Sequence, residues 1–259
     1  MRADVYLTET GFCESRTRAA RLISEGKVVL DGKRISRPSE SVSGGDHSVE
    51  ITEVDRYVSR GGLKLEAALD SFEVDVAGKR CIDVGASTGG FTDCLLHRGA
   101  AYVCAVDSGR GQLHPSIASN ERVRSFEGYN ARYLSAEELG RFDVAVMDVS
   151  FISQTLIHRS LADLLSNGGI FIGLIKPQFE LEKSKIGKNG IVKNASYRVD
   201  AVRRVIDSAR TCGLSPIDLI RSPIEGGDGN IEYLAIFKRE DGGADEKTIS
   251  DLTIKRICE

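Results

Sequence analysis

The sequence predicts an α/β protein in two parts: a small α+β module, then a doubly wound, mostly parallel sheet ending in an antiparallel hairpin. Three observations predict it. Apolar, β-rich runs at residues 81–84, 102–106, 144–147 and 170–175 are separated by segments of helical pattern, and strands buried on both faces of a parallel sheet read as such continuous runs. A glycine-rich turn follows the first of these runs. Ahead of them, an Asp-Gly turn between apolar residues marks a hairpin. At 259 residues, 41% hydrophobic and 28% charged, the chain has material for between one and two domains and for a real core. It holds no run of about 18 apolar residues, and Arg2, Asp4, Glu9 and Glu14 interrupt the apolar stretch that a secretory leader needs. The six cysteines (13, 81, 94, 104, 212 and 258) include no C-x-x-C pair, which predicts reduced core thiols and a cytoplasmic protein.

Residues 4–10 are predicted as a short helix closed by Gly11. Ser15 is a candidate N-cap for a second helix that keeps Ala19, Leu22 and Ile23 on one side and ends at Gly26. Residues 28–30, the Asp31-Gly32 turn and Ile35 make the hairpin, and Pro38, Gly44 and Gly45 break the chain before a last short strand at 48–51. The predicted boundaries are a first domain at 1–53, a linker at 54–63, a second domain at 64–240 and a tail at 241–259. Within the second domain, helices are predicted at 91–98, 155–165 and 196–211, with a further strand at 123–126. Strands at 217–221 and 231–237 flank a glycine-rich turn. The tail is polar and unpatterned, with room for a helical turn or two.

The net charge of −3 excludes a globally basic nucleic-acid binder. The charge is uneven, however: residues 1–37 hold eight basic residues against five acids, and residues 38–55 hold five acids with no Lys or Arg. A local basic face is what matters for phosphate, because a Debye length of about 8–10 Å hides distant charge.

The strongest local signal is Asp83-Val-Gly-Ala-Ser-Thr-Gly-Gly-Phe91, a turn that leaves a strand and opens a helix. Gly85, Gly89 and Gly90 permit a sharp turn and close approach of a ligand. The spacing is not G-x-G-x-x-G, which argues against a nicotinamide oxidoreductase. Asp107 ends the second strand, where an acid in a doubly wound sheet reaches ribose hydroxyls. Together they predict an adenosine-containing cofactor.

These residues resemble the S-adenosylmethionine loop of FtsJ-like ribose methyltransferases. The wider set, Ser59-Arg-Gly-Gly-Leu-Lys64, Asp107-Ser-Gly-Arg-Gly-Gln112, Asp148-Val-Ser-Phe-Ile-Ser153 and Ile175-Lys-Pro-Gln-Phe-Glu180, resembles the TlyA family, whose members are named hemolysin and rRNA 2′-O-methyltransferase. The likeness runs over residues 2–238. It implies a Rossmann-like class I methyltransferase sheet preceded by an S4-like RNA-binding domain, with S-adenosyl-L-methionine as cofactor and cytidine ribose in 16S and/or 23S rRNA as substrate. Asp83, Gly85, Ser87, Gly89, Gly90, Phe91 and Asp107 are the candidate cofactor residues. Asn130 is either an adenine contact or a turn asparagine, and Phe151 packs against the cofactor or the core. Arg16, Arg18 and Arg21, along the second helix, are candidates to grip phosphate, with Arg2 and Arg37 near the module's ends.

FtsJ-like enzymes share a Lys-Asp-Lys-Glu tetrad, which falls here on Lys64, Asp148, Lys176 and Glu232. A 2′-hydroxyl is a poor nucleophile; its attack on a sulfonium methyl needs in-line geometry, removal of its proton and a dry site. Lys176 is assigned to take or guide that proton, Lys64 is its like-charged neighbour, and Asp148 and Glu232 orient the two amines. Charges at the ends of apolar strands are costly without partners, which argues for function over two incidental ion pairs. Residues 179–194, with Lys183, Lys185, Lys188 and Lys193, make either a basic lid or a solvated loop. The four histidines lack ligand spacing, so no metal site is predicted. Two other functions are weighed. A pore-forming cytolysin needs a membrane-inserting amphipathic segment or alternating barrel strands, and neither pattern is present. An RNA-binding assembly protein with an inactive methyltransferase domain does not need the intact tetrad and glycine turn.

Overall fold

A computed structural model describes residues 1–24, 26–51, 56–241 and 249–259, and the chain divides into two compact units, Met1–Arg56 and Tyr57–Glu259.

In the first unit, helices α1 (Ala3–Glu9) and α2 (Arg16–Ser24) cover a sheet of β1 (Val28–Leu30), β2 (Lys33–Arg34) and β3 (Val49–Ile51), in the order β2-β1-β3. Ser15 caps α2 by accepting from the Arg18 amide at 3.3 Å. Asp31 and Gly32 both lie in the left-handed region (φ 51° and 75°), the geometry whose twist suits a two-residue hairpin. Leu7, Ala19, Leu22, Ile23 and Val28 form the centre of this unit's own core.

The second unit is a seven-stranded sheet in the order β6-β5-β4-β7-β8-β10-β9. Its strands are β4 (Arg80–Val84), β5 (Tyr102–Asp107), β6 (Val123–Glu127), β7 (Phe142–Met147), β8 (Leu165–Ile175), β9 (Leu214–Arg221) and β10 (Tyr233–Arg239). The pairings from β6 to β8 are parallel, while β10 is antiparallel to both its neighbours. Apolar side chains alternate between two buried faces: Ile82 and Val84 point to one cluster, Cys81 to the other. Helices α3 (Gly61–Ser71) and α4 (Gly90–His97) cover one face. Helices α7 (His158–Leu164), α9 (Ala195–Thr211) and α10 (Asp251–Cys258) cover the other. Short helices α5 (Pro115–Ala118), α6 (Ala136–Leu139) and α8 (Pro177–Glu180) sit in the connections. The chain leaves β4 toward β5 on one side and returns to β7 on the other, so the strand order reverses at β4. Ligands of open α/β sheets sit at this point, beyond the carboxyl ends of the strands.

Several predicted boundaries move. Of the predicted linker, residues 54–55 lie outside the described residues and residues 57–63 are part of the second unit. Tyr57 is buried beside Leu65, the Val58 amide donates to Asp93 Oδ2 at 2.8 Å, and a Cβ on Gly62 would lie 2.3 Å from the Tyr57 ring. The Gly-Gly pair therefore serves close packing rather than slack. The end of the predicted tail is helix α10, capped by Ser250 Oγ accepting from the Thr253 amide at 3.1 Å, with Ile254 and Cys258 buried; residues 242–248 lie outside the described residues. The predicted helix at 155–165 stops at Leu164, because the chain already runs as strand β8 from Leu165.

Candidate active site

The carboxyl end of the parallel sheet carries the charged residues. Asp148 follows β7, Lys176 follows β8 and Glu232 precedes β10. Tyr233 is opposite Ile175 in the antiparallel ladder, so the next residues outward, Glu232 and Lys176, share one end of adjacent strands. Lys64 lies one turn into α3, whose first residues pack on the start of α4: a Cβ on Gly90 would meet Ser59 Oγ at 2.1 Å and the Gly62 nitrogen at 3.1 Å.

The four side chains form two ion pairs. Lys64 Nζ donates to Glu232 Oε2 at 2.5 Å, and Lys176 Nζ stands 2.6 Å from Asp148 Oδ1. The first pair is buried, while the second is more open, with 22% of the Asp148 side chain exposed. Lys176 also donates to Ser150 Oγ at 2.8 Å. Sequence reasoning missed Ser150; the signal in the sequence was its place two residues after Asp148.

The glycine turn adjoins these pairs. Gly85 has φ 86°, and a Cβ there would meet the Asp148 carbonyl oxygen at 2.4 Å, so the backbones after β4 and β7 approach as closely as they do only because this residue is glycine. Asp107, at the tip of β5, accepts from the Ser87 amide at 2.8 Å and the Gly109 amide at 2.6 Å. Ser87 is exposed, with φ 48°. Each Asp107 oxygen keeps acceptor capacity beyond these bonds.

Several predicted cofactor residues have other work. Asp83 is fully buried and accepts from Thr92 Oγ1 at 2.7 Å, tying β4 to the first turn of α4. Burial pushes its carboxyl up to about 7, against the Thr92 hydrogen bond. Phe91 is also buried, in the apolar cluster with Tyr57 and Leu65, and the missing Cβ of Gly90 makes room for α3. Of the two alternatives for Phe151, cofactor or core, the core is ruled out: it is 93% exposed, with φ 62°, and its ring centre is 5.2 Å from that of Phe179. Asn130 is exposed and caps the turn Ala131–Tyr133, accepting from the Arg132 amide at 3.1 Å.

In the first unit, Arg2 and Arg16 converge on Asp4, at 2.9 and 3.3 Å. The Arg2 guanidinium, with help from Arg16, holds that carboxyl down at about 2 against the cost of burial. Arg18 pairs with Glu14 at 3.3 Å, Arg21 is half-buried and Arg37 is exposed. The three arginines of α2 therefore do not form one row: at 100° per residue, Arg18 and Arg21 share a face that Arg16 does not.

The strand order, the glycine turn after β4 and the acid at the tip of β5 are those of the S-adenosylmethionine-dependent methyltransferase fold. A solved "S-adenosylmethionine dependent methyltransferase" from Mesorhizobium loti shares that fold at 16% identity and TM-score 0.50, over 67% of this chain and 96% of its own. The chain belongs to the FtsJ-like methyltransferase family, whose pattern matches residues 57–239, and it carries an S4 domain matching residues 1–48. It is 40% identical, over its whole length and 97% of the relative's, to the 16S/23S rRNA (cytidine-2′-O)-methyltransferase TlyA of Mycobacterium tuberculosis. A solved structure described as "Putative hemolysin from Streptococcus thermophilus" is 41% identical, with a TM-score of 0.79 over 100% of this chain and 94% of its own. Among the described residues no helix is long and apolar enough to cross a membrane.

Proposed function

We propose that this protein is an S-adenosylmethionine-dependent RNA 2′-O-methyltransferase acting on cytidine ribose in 16S and/or 23S rRNA, with its S4 domain gripping the structured RNA. The observation that carries it is the pairing of two lysines, Lys64 from α3 and Lys176 from the end of β8, with the strand-end carboxylates Glu232 and Asp148, beside the glycine turn. The residues present suit the cofactor. Gly85 keeps the turn open, the exposed Ser87 and the Asp107 carboxylate lie at the sheet's rim, and Asp107 has lone pairs left for ribose hydroxyls.

S-adenosylmethionine, when bound, supplies an electrophilic methyl on a sulfonium and leaves as a neutral thioether. The rest falls to the chain. Lys176 would take or guide the proton of the attacking 2′-hydroxyl. Asp148 and Ser150 fix the Lys176 amine in direction, and Glu232 does the same for Lys64. Preorganised charge in a site of low dielectric contributes more than the same groups in water. Arg16, Arg18 and Arg21, with Arg2 and Arg37, are the proposed phosphate contacts.

The test is incubation with methyl-labelled S-adenosylmethionine and 30S or 50S subunits from a strain lacking the modification, followed by mapping of the labelled nucleotide. Label at the 2′-oxygen of a cytidine is the expected result; label on a base, or none on RNA, overturns the proposal.

A further inference from the structure

The Asp148–Gln154 loop and the turn at Lys176–Glu180 touch in matching order along their lengths. Asp148 and Ser150 meet Lys176, Phe151 meets Phe179, and Ser153 and Gln154 meet Glu180. The last contact is the buried one. Glu180 is 3% exposed; its carboxylate accepts from the Ser153 hydroxyl and, at 2.9 Å, from the Gln154 amide. Arg204 of α9 donates to the Glu180 carbonyl at 2.9 Å, and Gln154 Nε2 donates to the Leu174 carbonyl of β8 at 3.3 Å.

We propose that Glu180 is a positioning residue for Lys176: its buried carboxylate clamps the loop after β7 to the turn after β8, and so holds the Lys176 amine between Asp148 and Ser150. The β7–β8 ladder ends at Met147 opposite Gly173; the Asp148 amide still donates to the Val84 carbonyl at 3.0 Å and Ile175 still pairs with Tyr233, so each backbone is held to its other neighbour. The sheet does not tie the loop after Asp148 to the turn after Ile175; the side-chain contacts do. Phe151 is exposed in a left-handed conformation, a strained shape that persists only where its surroundings impose it; the Glu180 contacts to Ser153 and Gln154 begin two residues later. Burial raises the Glu180 carboxyl above its ordinary value, and the hydroxyl and amide donors offset this only in part.

The inference rests on the proposed methyl transfer for its rate effect, and the experiment separates the two. Wild type is first assayed on ribosomal subunits; then Glu180→Ala, Glu180→Gln, Ser153→Ala and Ser153→Ala/Glu180→Ala are compared, with amide hydrogen exchange measured on each protein without RNA. Loss of the clamp is expected to lower kcat about a hundredfold in Glu180→Ala, a cost typical of a misplaced catalytic group. The RNA KM and the S-adenosylmethionine Kd should stay within about twofold, the split that marks a loss confined to the transition state. Glu180→Gln, which keeps one acceptor oxygen, should fall between, and the double variant should be no slower than Glu180→Ala. Exchange should quicken at residues 149–154 and not in the central strands. A folded Glu180→Ala enzyme of wild-type kcat, or losses that multiply in the double variant, overturns the proposal. If wild type leaves RNA ribose unmethylated, the proposed function falls and exchange decides the clamp: selective quickening at 149–154 supports it, and unchanged exchange overturns it. Should Glu180→Ala not fold, Glu180→Gln and Ser153→Ala carry the same comparison.

Discussion

Lys64 and Glu232, 168 positions apart in the chain, hold each other at 2.5 Å with their side chains 10% and 3% exposed. One comes from the helix that opens the second unit, the other from the residue before β10, so the contact exists only once the sheet is complete. Removing one partner leaves a buried charge uncompensated. Glu232→Ala is expected to lower stability by about 3–5 kcal/mol, while Lys64→Met with Glu232→Leu costs much less. Urea unfolding of the three proteins checks this; a double variant as unstable as the single would refute it.

Lys176→Ala should abolish methyl transfer and leave S-adenosylmethionine binding within a few-fold. Calorimetric binding beside a turnover assay separates the two readouts. Retained turnover removes Lys176 from its proton-handling role.

Gly85→Ala places a methyl 2.4 Å from the Asp148 carbonyl at a φ of 86°. Strain of this kind costs about 1–3 kcal/mol. The thermal midpoint should fall and S-adenosylmethionine affinity should weaken together, since the turn and the Asp148 backbone move apart. Wild-type affinity in the variant would separate the turn from the cofactor site.

His158 is fully buried between Phe171 and Phe237 and bonds through Nδ1 to Ser208 Oγ at 3.0 Å. Burial holds its imidazole down at about 4, from an ordinary 6.5. The unfolded chain therefore takes up a proton here before the native one does. Stability is full above pH 6.5 and drains away as the pH falls toward 4, by on the order of 3 kcal/mol. His158→Asn, which keeps a polar atom near Nδ1, should flatten the pH dependence of the urea midpoint between 4 and 6.5.

Arg16→Ala with Arg18→Ala should weaken RNA binding and lower the slope of log affinity against log salt by about 1–2, with cofactor affinity unchanged. Filter binding over a salt series reads it. An unaltered slope would show that phosphate is gripped elsewhere.

Much of the architecture was legible in sequence because burial on both faces writes itself as continuous apolar runs, and β4, β5, β7 and β8 all carry one. The glycine turn was legible too, yet its glycines serve different ends: Gly85 clears the Asp148 backbone, whereas Gly90 clears α3. A missing Cβ says that something comes close without saying what. Asp83 and Phe91 flank that turn in sequence, and their burial, Asp83 bonded to Thr92 and Phe91 packed with Tyr57 and Leu65, was not legible there. Helix α10 was hidden because eight residues with two buried side chains make too short a pattern to stand out from a polar tail.

Local chemistry is what the sequence determined by itself: which segments become strands, where the chain turns, and which charged residues, Asp148, Lys176 and Glu232, sit at strand ends. Partner choice belonged to the tertiary structure. That Lys64 takes Glu232, Lys176 takes Asp148 and Ser150, and Arg16 leaves its helical neighbours for Asp4 follows from strand order and helix packing. Contacts between distant positions depend on where the backbone places them, and no spacing along the chain records that.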